Sequence, residues 1–298
     1  MSLIVDRSVF ADLGHPVPLA QALLKQVPSL QIPVPIEELA FACGITSIDE
    51  VNVKSFEGAL VAPDHKDFGE ILLRSALGPE RRRFTIGHEL GHFLNIWHVP
   101  PNGRFECTAR DMRADDGSAQ TGRPKWEAEA NAFAIEILIP RDAFMGRLRQ
   151  IKEPGLEHIV ELAALFEMSK LATARRFREL AEDPCAIVQT KDLMVDCLYR
   201  HTRFPFISLQ RGQAVHRKSV TATFEGSPGD CSDLEETEAS YWTDSASRGA
   251  SQLYEQVLCQ QNGYRLTLLA LDPKSAETED EEEEYVRDRS AWNPTFGR

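Results

Sequence analysis

Apolar positions in the first half of the chain alternate between helical and strand-like spacings, and the changes of spacing outline its elements. "LAQALLKQVP", Leu19 to Pro28, has apolar residues three and four apart and stops at a proline, which predicts a helix. "PIEELAFACGI", Pro35 to Ile45, predicts a second, shorter helix, with Pro at its start and Gly44 near its end, where each is best tolerated. "FEGALVA" and "FGEILLR" read as strands, and the polar "PDHKD" between them suits a hairpin. Gly78-Pro79 then opens a long helix through "FTIGHELGHF", which ends near "NIWHVPP" at two prolines. "DMRADDGSAQTGRP" reads as a polar surface loop, and "KWEAEANAFAIEIL" as another long helix halted by Ile139-Pro140.

Farther along, "GLEHIVELAALFEMSKLATARRFREL" predicts two helices around the turn Glu167-Met168-Ser169. From about Pro184 the pattern changes. "CAIVQ", "FISLQ" and "SVTATF" are expected as strands, "YWTDSASRGASQLYEQVL" to contain a helical stretch, and "YRLTLLALD" as a buried strand. The fold class is therefore α+β. Residues 1–150 are expected to form helices plus a small antiparallel sheet, 151–183 a pair of helices, and 184–272 a second α+β domain, before a tail at 273–298. No internal repeat is evident.

Composition narrows the function. The 298 residues suffice for about two domains. A formal net charge of -13 argues against a chain built mainly to grip nucleic acid, because such affinity comes from neutralising phosphates. Much of that charge lies in "ETEDEEEEY", Glu277 to Tyr285, a self-repelling run read as a solvated, disordered tail. Six cysteines are scattered with no C-x-x-C pair, which fits reduced thiols better than a disulfide framework or a Cys-type zinc site. No apolar run approaches the ~20 residues of a membrane span. The start "MSLIVDRSVFADLGHPVP" lacks the form of a secretory signal, so a cytoplasmic location without membrane contact is expected.

The chemistry lies in His88-Glu89-Leu90-Gly91-His92. Residues four apart stack on one helix face, so the two imidazoles can chelate one ion. Glu89 lies about 100° round from His88, close enough to take a proton from a water at that ion without being a ligand. This is the H-E-x-x-H arrangement, flanked by apolar Phe84, Ile86, Leu90, Phe93 and Leu94, with Gly87 and Gly91 permitting close approach of another backbone. A helix that merely carries two unlinked histidines remains the alternative until a third ligand is found.

Two residues compete for that place. His98 makes "HELGHFLNIWH" match H-E-x-x-H-x-x-G-x-x-H, except that Asn95 replaces the glycine; Asn tolerates the left-handed bend required. Glu127, in "WEAEANAF", would instead complete a His-His-Glu set with one position open for water. Asn131 lies on the same face as Glu127 and would hydrogen-bond a ligand histidine, whereas Glu129 is expected to face solvent. Glu127 is preferred, and His98 is then a structural or substrate-facing histidine. No residue stands out to stabilise the developing oxyanion, with His65 and His98 the only candidates.

These pieces together resemble the ImmA/IrrE family of bacterial metallopeptidases. The matching stretches are "IPVPIEELAFACGI", "EGALV", "EILL", "RRRFTIGHELGHFL", "FECTARD" and "WEAEANAFAIEILIP", covering about residues 25 to 150. The resemblance implies a zincin-like fold, with His88, His92 and Glu127 as zinc ligands and Glu89 as general base; manganese also suits such a set. It implies cleavage of one helix-turn-helix repressor of the XRE type, which derepresses stress-response or mobile-element genes. Longer members carry a helix-turn-helix-like segment and a GAF-like domain, and residues 151–272 look like that plan. A GAF-like domain implies a small-molecule effector. The other reading is a DNA-binding regulator using Arg175, Arg176 and Arg178, with a metal site that is not proteolytic. Glu167 in a turn position favoured by Gly, and the acidic chain, argue against direct DNA contact.

Overall fold

The computed structural model describes residues 3–99, 104–109, 111, 122–152, 155–243 and 252–271. The acidic run at Glu277 to Tyr285, the tail at 273–298 and most of the expected surface loop lie outside them. The chain divides into two compact units, one of Met1–Lys152 with Glu161–Thr173, the other of Glu153–Val160 with Ala174–Arg298. It contains both helices and sheets, and no described helix is long and apolar enough to cross a membrane.

In the first unit, helices α1 (Pro16–Leu24) and α2 (Ile36–Ala42) lead into strand β1 (Ile45–Val51). The hairpin β2 (Gly58–Val61) and β3 (Gly69–Arg74) precedes the long helix α3 (Pro79–Leu94). Strand β4 (Arg104–Cys107), helix α4 (Arg123–Leu138) and the unanticipated helix α5 (Arg141–Leu148) follow. The strand order is β1-β3-β2-β4. β2 pairs antiparallel with both β3 and β4, as a hairpin requires, but β1 runs parallel to β3. The sheet is therefore mixed, not antiparallel as expected. β1 escaped the sequence reading because only Ile45 of it is buried, while Asp49 and Glu50 face out, as suits an edge strand that must discourage further pairing.

α3 is the central element, and every residue from Thr85 to Leu94 is buried. Glycines let its neighbours close in. A Cβ on Gly91 would lie 3.0 Å from the Phe133 ring of α4, and one on Gly58 of β2 would lie 2.6 Å from the Glu89 carboxylate. Burying a side chain such as Phe93 or Ile86 here contributes about 1.5–3 kcal/mol. The far end of α3 is held by Lys66, a buried residue at φ 48, whose Nζ donates to the carbonyls of His92 at 2.6 Å and Asn95 at 2.7 Å. A cation at that helix end satisfies carbonyls left without intrahelical partners.

Helices α6 (Leu156–Phe166) and α7 (Lys170–Leu180) flank Glu167, which adopts φ 51, the left-handed turn conformation anticipated there. The arginines of α7 are engaged within the protein. Arg175 lies 4.2 Å over the Tyr199 ring, buried Arg176 sits 3.0 Å from Glu179, and Arg178 donates to the Arg200 carbonyl at 3.4 Å.

The second unit is built on a five-stranded sheet of order β6-β5-β9-β8-β7, from β5 (Cys185–Lys191), β6 (Met194–Arg200), β7 (Glu235–Glu238), β8 (Gln252–Cys259) and β9 (Tyr264–Leu271). Every neighbouring pair is antiparallel. "CAIVQ" and "YRLTLLALD" are strands as expected, but three segments differ. "QLYEQVL" is β8, not a helix; it lies between β9 and β7 and is buried from Leu253 to Cys259 except at Tyr254, so it lacks the alternation of a half-exposed strand. "SVTATF" is not a strand but the short helix α8 (Val220–Thr223), started by the Ser219 side chain accepting from the Ala222 amide. "FISLQ" forms only an isolated bridge, between Ile207 and Thr243. The core gathers Phe204, Trp242, Leu253 and Leu269, and buried Glu255 accepts from the Thr221 amide and the Trp242 indole.

Candidate metal centre

Two helices and one strand bring the site together. α3 carries His88 and His92 one turn apart, α4 crosses its glycine face and supplies Glu127, and β4 delivers Cys107. His88 Nε2 and His92 Nε2 lie 3.1 Å apart, and Glu127 Oε2 lies 3.1 Å from the first and 3.3 Å from the second. Cys107 Sγ is 3.7 Å from His92 Nε2. One donor atom from each of these four buried residues lies within 4.8 Å of the others, a group that could hold a metal ion.

The partners behind the rings decide where their protons are. Asn131 Nδ2 donates to the Asp111 carbonyl at 3.0 Å, so its Oδ1 is left to accept from His88 Nδ1 at 2.8 Å. His88 is thereby the Nδ1–H tautomer, with a bare Nε2. His92 reaches the same state through two further residues. Glu129 Oε2, a carboxylate oxygen that only accepts, lies 2.9 Å from His98 Nε2, which must carry the proton. Asn95 Nδ2 also lies 3.1 Å from that nitrogen, but its amide donates to the Gly14 carbonyl at 3.0 Å and only touches the ring. His98 Nδ1 is then an acceptor for His92 Nδ1–H at 3.0 Å, and His92 Nε2 is bare as well. Such partners fix the tautomer and orientation of a ligating imidazole.

Two imidazole lone pairs and a carboxylate oxygen thus converge with no hydrogen between them. Mutual repulsion at that separation calls for a proton or a cation in the middle, and the donor set fits a divalent ion. Burial opposes charging His88, but the Glu127 hydrogen bond and the Glu89 carboxylate outweigh it and raise its pKa. Burial also opposes ionising Glu127, yet the two histidines hold its carboxyl well below the usual range. Its second oxygen accepts from Arg123 Nε at 3.1 Å, which turns Oε2 toward the histidines. Burial lowers His92 to about 3 and His98 to about 4, so both stay neutral.

Glu89 completes the site. It is fully buried, and neither carboxylate oxygen has a hydrogen-bond partner among the described residues. Loss of hydration pushes its pKa up to about 7. Burial and the carboxylates of Glu89 and Glu127 push the Cys107 thiol well above its ordinary value.

Several sequence expectations meet different geometry. His98 is buried at 1% exposure on the outer nitrogen of His92, and is not within the converging group. Asn95 is extended, at φ −78 and ψ 108, and makes no left-handed bend. Glu129 does not simply face solvent; the turn after α3 brings His98 onto it. His65 is exposed and lies 3.3 Å from Asp67. Cys107 and Lys66 were not anticipated, because neither stands at a fixed sequence spacing from the helix motif.

Residues 50–178 match the Peptidase_M78 family, described as an IrrE N-terminal-like domain. The match starts in β1 and runs on into α7, so α6 and all but the last two residues of α7 fall within it. No curated protein matches the chain. The matched segment contains both helices and the strand that build the converging group, so the candidate metal centre lies wholly within the part of the chain that is similar to the IrrE N-terminal-like domain of Peptidase_M78.

Proposed function

We propose that the protein is a zinc-dependent endopeptidase of the cytoplasm that cuts a helix-turn-helix repressor of the XRE type at one site, derepressing stress-response or mobile-element genes. One observation carries the hydrolytic reading: bare Nε2 atoms of His88 and His92 and Oε2 of Glu127 face one another beside a buried carboxylate, Glu89, that has no partner of its own among the described residues. Zinc bound there, or manganese with the same ligands, supplies Lewis acidity to the scissile carbonyl and acidifies a water.

The protein residues do the rest. Asn131 and the His98–Glu129 pair keep the two imidazoles aimed inward. Glu89, raised toward neutrality by burial, takes the proton of the attacking water and passes it to the leaving amine. β3 is paired on both sides and offers no free edge to an extended substrate segment. Among the described residues β4 pairs only with β2, which makes it the edge nearest the site for main-chain recognition. In this reading the second unit is a GAF-like sensor taking a small-molecule effector, and α6 and α7 form a helix-turn-helix-like module that docks the repressor. The engagement of Arg175, Arg176 and Arg178 with their own neighbours favours that role over direct DNA contact.

The test uses Glu89→Gln. Its product is expected to keep one equivalent of zinc and to leave a co-expressed XRE-type repressor intact, while the unmodified enzyme cuts it. Undiminished cutting by Glu89→Gln would remove the base from the mechanism.

A further inference from the structure

The metal reading leaves one member of the converging group without a role. Cys107 Sγ lies within 4.8 Å of the other three donor atoms and 3.7 Å from His92 Nε2, within reach of an ion they share. Bonds of about 2.0–2.1 Å to nitrogen and about 2.3 Å to sulfur, at tetrahedral angles, separate two nitrogens by ~3.3 Å and nitrogen from sulfur by ~3.6 Å. The corresponding separations are 3.1 Å between the histidine nitrogens and 3.7 Å from Cys107 Sγ to His92 Nε2. Glu127 Oε2 closes the figure at 3.1 and 3.3 Å from the histidines. The thiol is not there by a side-chain accident. β4 pairs with β2 in register, Gly58 opposite Cys107, and the Cys107 carbonyl accepts from the Glu57 amide at 2.9 Å. Cys107 is wholly buried, so no solvent competes for it.

We propose that Cys107 is the fourth protein ligand and that the metal-loaded resting enzyme is latent. The proposal rests on the hydrolase reading and states how that site is regulated. A coordinated thiol loses its proton outright, here to solvent, and the resulting two-histidine, one-carboxylate, one-thiolate set is closed in the manner of structural sites. With four protein ligands in place, no position is open for water, and Glu89 has nothing to deprotonate. Activation is the exchange of the Cys107 thiolate for water, the thiolate recovering a proton as it leaves. Because Cys107 ends the edge strand β4, a movement of that strand suffices to withdraw it.

The experiment loads the full-length protein and Cys107→Ala with one equivalent of Co2+ or Zn2+. The unsubstituted protein is expected to show sulfur-to-cobalt charge-transfer absorption and, by zinc X-ray absorption, one sulfur neighbour at about 2.3 Å. Cys107→Ala is expected to show neither. Acetohydroxamate, a small chelating probe of open coordination positions, should perturb the cobalt spectrum of Cys107→Ala at concentrations at least ~10-fold below those needed for the unsubstituted protein, since the closed form dominates there. A sulfur-free metal shell in the unsubstituted protein overturns the proposal while leaving the hydrolase reading intact. Equal hydroxamate binding to both proteins overturns the latency. Failure of the unsubstituted protein to bind either metal overturns the hydrolase reading and this one together. Should Cys107→Ala not fold, the spectra of the unsubstituted protein alone decide the ligation, and Cys107→Ser serves in the probe titration.

Discussion

Replacing His98 tests whether the metal centre depends on residues that never touch the ion. In the folded protein Glu129 holds the proton of His98 on Nε2, and His98 Nδ1 in turn holds the proton of His92 on Nδ1. His98→Phe keeps the flat shape and the stacking on Trp126, whose ring lies 5.7 Å away, but removes the acceptor. A buried N–H without a partner costs about 1–3 kcal/mol. The His92 ring escapes that cost by moving its proton to Nε2 or by turning, and either change removes a lone pair from the site. Metal binding must then reverse it, so zinc affinity is expected to fall about 10–100-fold, which is ~1.4–2.7 kcal/mol.

The assay is competition between the metal-free protein and a chromophoric chelator, with circular dichroism confirming that the fold is kept. His98→Gln offers an amide oxygen to His92 Nδ1–H and is expected to recover most of the loss, which a role in packing alone would not produce. Zinc affinity of His98→Phe equal to that of the unsubstituted protein would refute the relay. So would a Gln variant as weak as the Phe one.

Two more outcomes follow from the same geometry. Gly58→Ala would put a Cβ 2.4 Å from Thr85 and 2.6 Å from the Glu89 carboxylate, so Glu89 must move; under the proposed function, cleavage of the repressor should drop about 10²-fold or more while zinc stoichiometry stays at one, and an unchanged cleavage rate would show that Glu89 is not held by that contact. The stability of the metal-free protein should fall on acidification between about pH 6.5 and 4.5. The folded pKa values of His92 and His98 are depressed to about 3 and about 4, so their contribution is present above the unfolded value and lost as pH drops. Glu89, raised to about 7, works in the opposite direction and offsets one of the two protons taken up on unfolding. The net is about one proton, or ~1.4 kcal/mol per pH unit, measurable as a shift in urea midpoint; a midpoint that rises on acidification would contradict it.

What the sequence conveyed, and what it withheld, divides by the range of the interaction. His88, His92, Glu127 and Asn131 were legible because helical periodicity alone puts residues four apart on one face, and α3 and α4 each present such a pair. The same rule misjudged Glu129. Two residues beyond Glu127 it points about 200° round the helix, away from the converging group, and the rule has no knowledge of the turn at Asn95 that swings His98 onto it. Lys66 and Cys107 were invisible for a like reason. Each reaches the site through a strand or turn whose pairing is set by the whole sheet, not by distance along the chain. The misread segments of the second unit follow the same division. Leu253, Val257 and Leu258 repeat at helical spacing, yet β8 is buried on both faces, where a strand needs no alternation and periodicity cannot separate the two forms. Local spacing therefore located the two helices that build the converging group, with Asn131 behind one of its rings, whereas the His98–Glu129 pair behind the other ring, the lysine that caps the helix and the Cys107 thiol came from contacts that spacing does not encode.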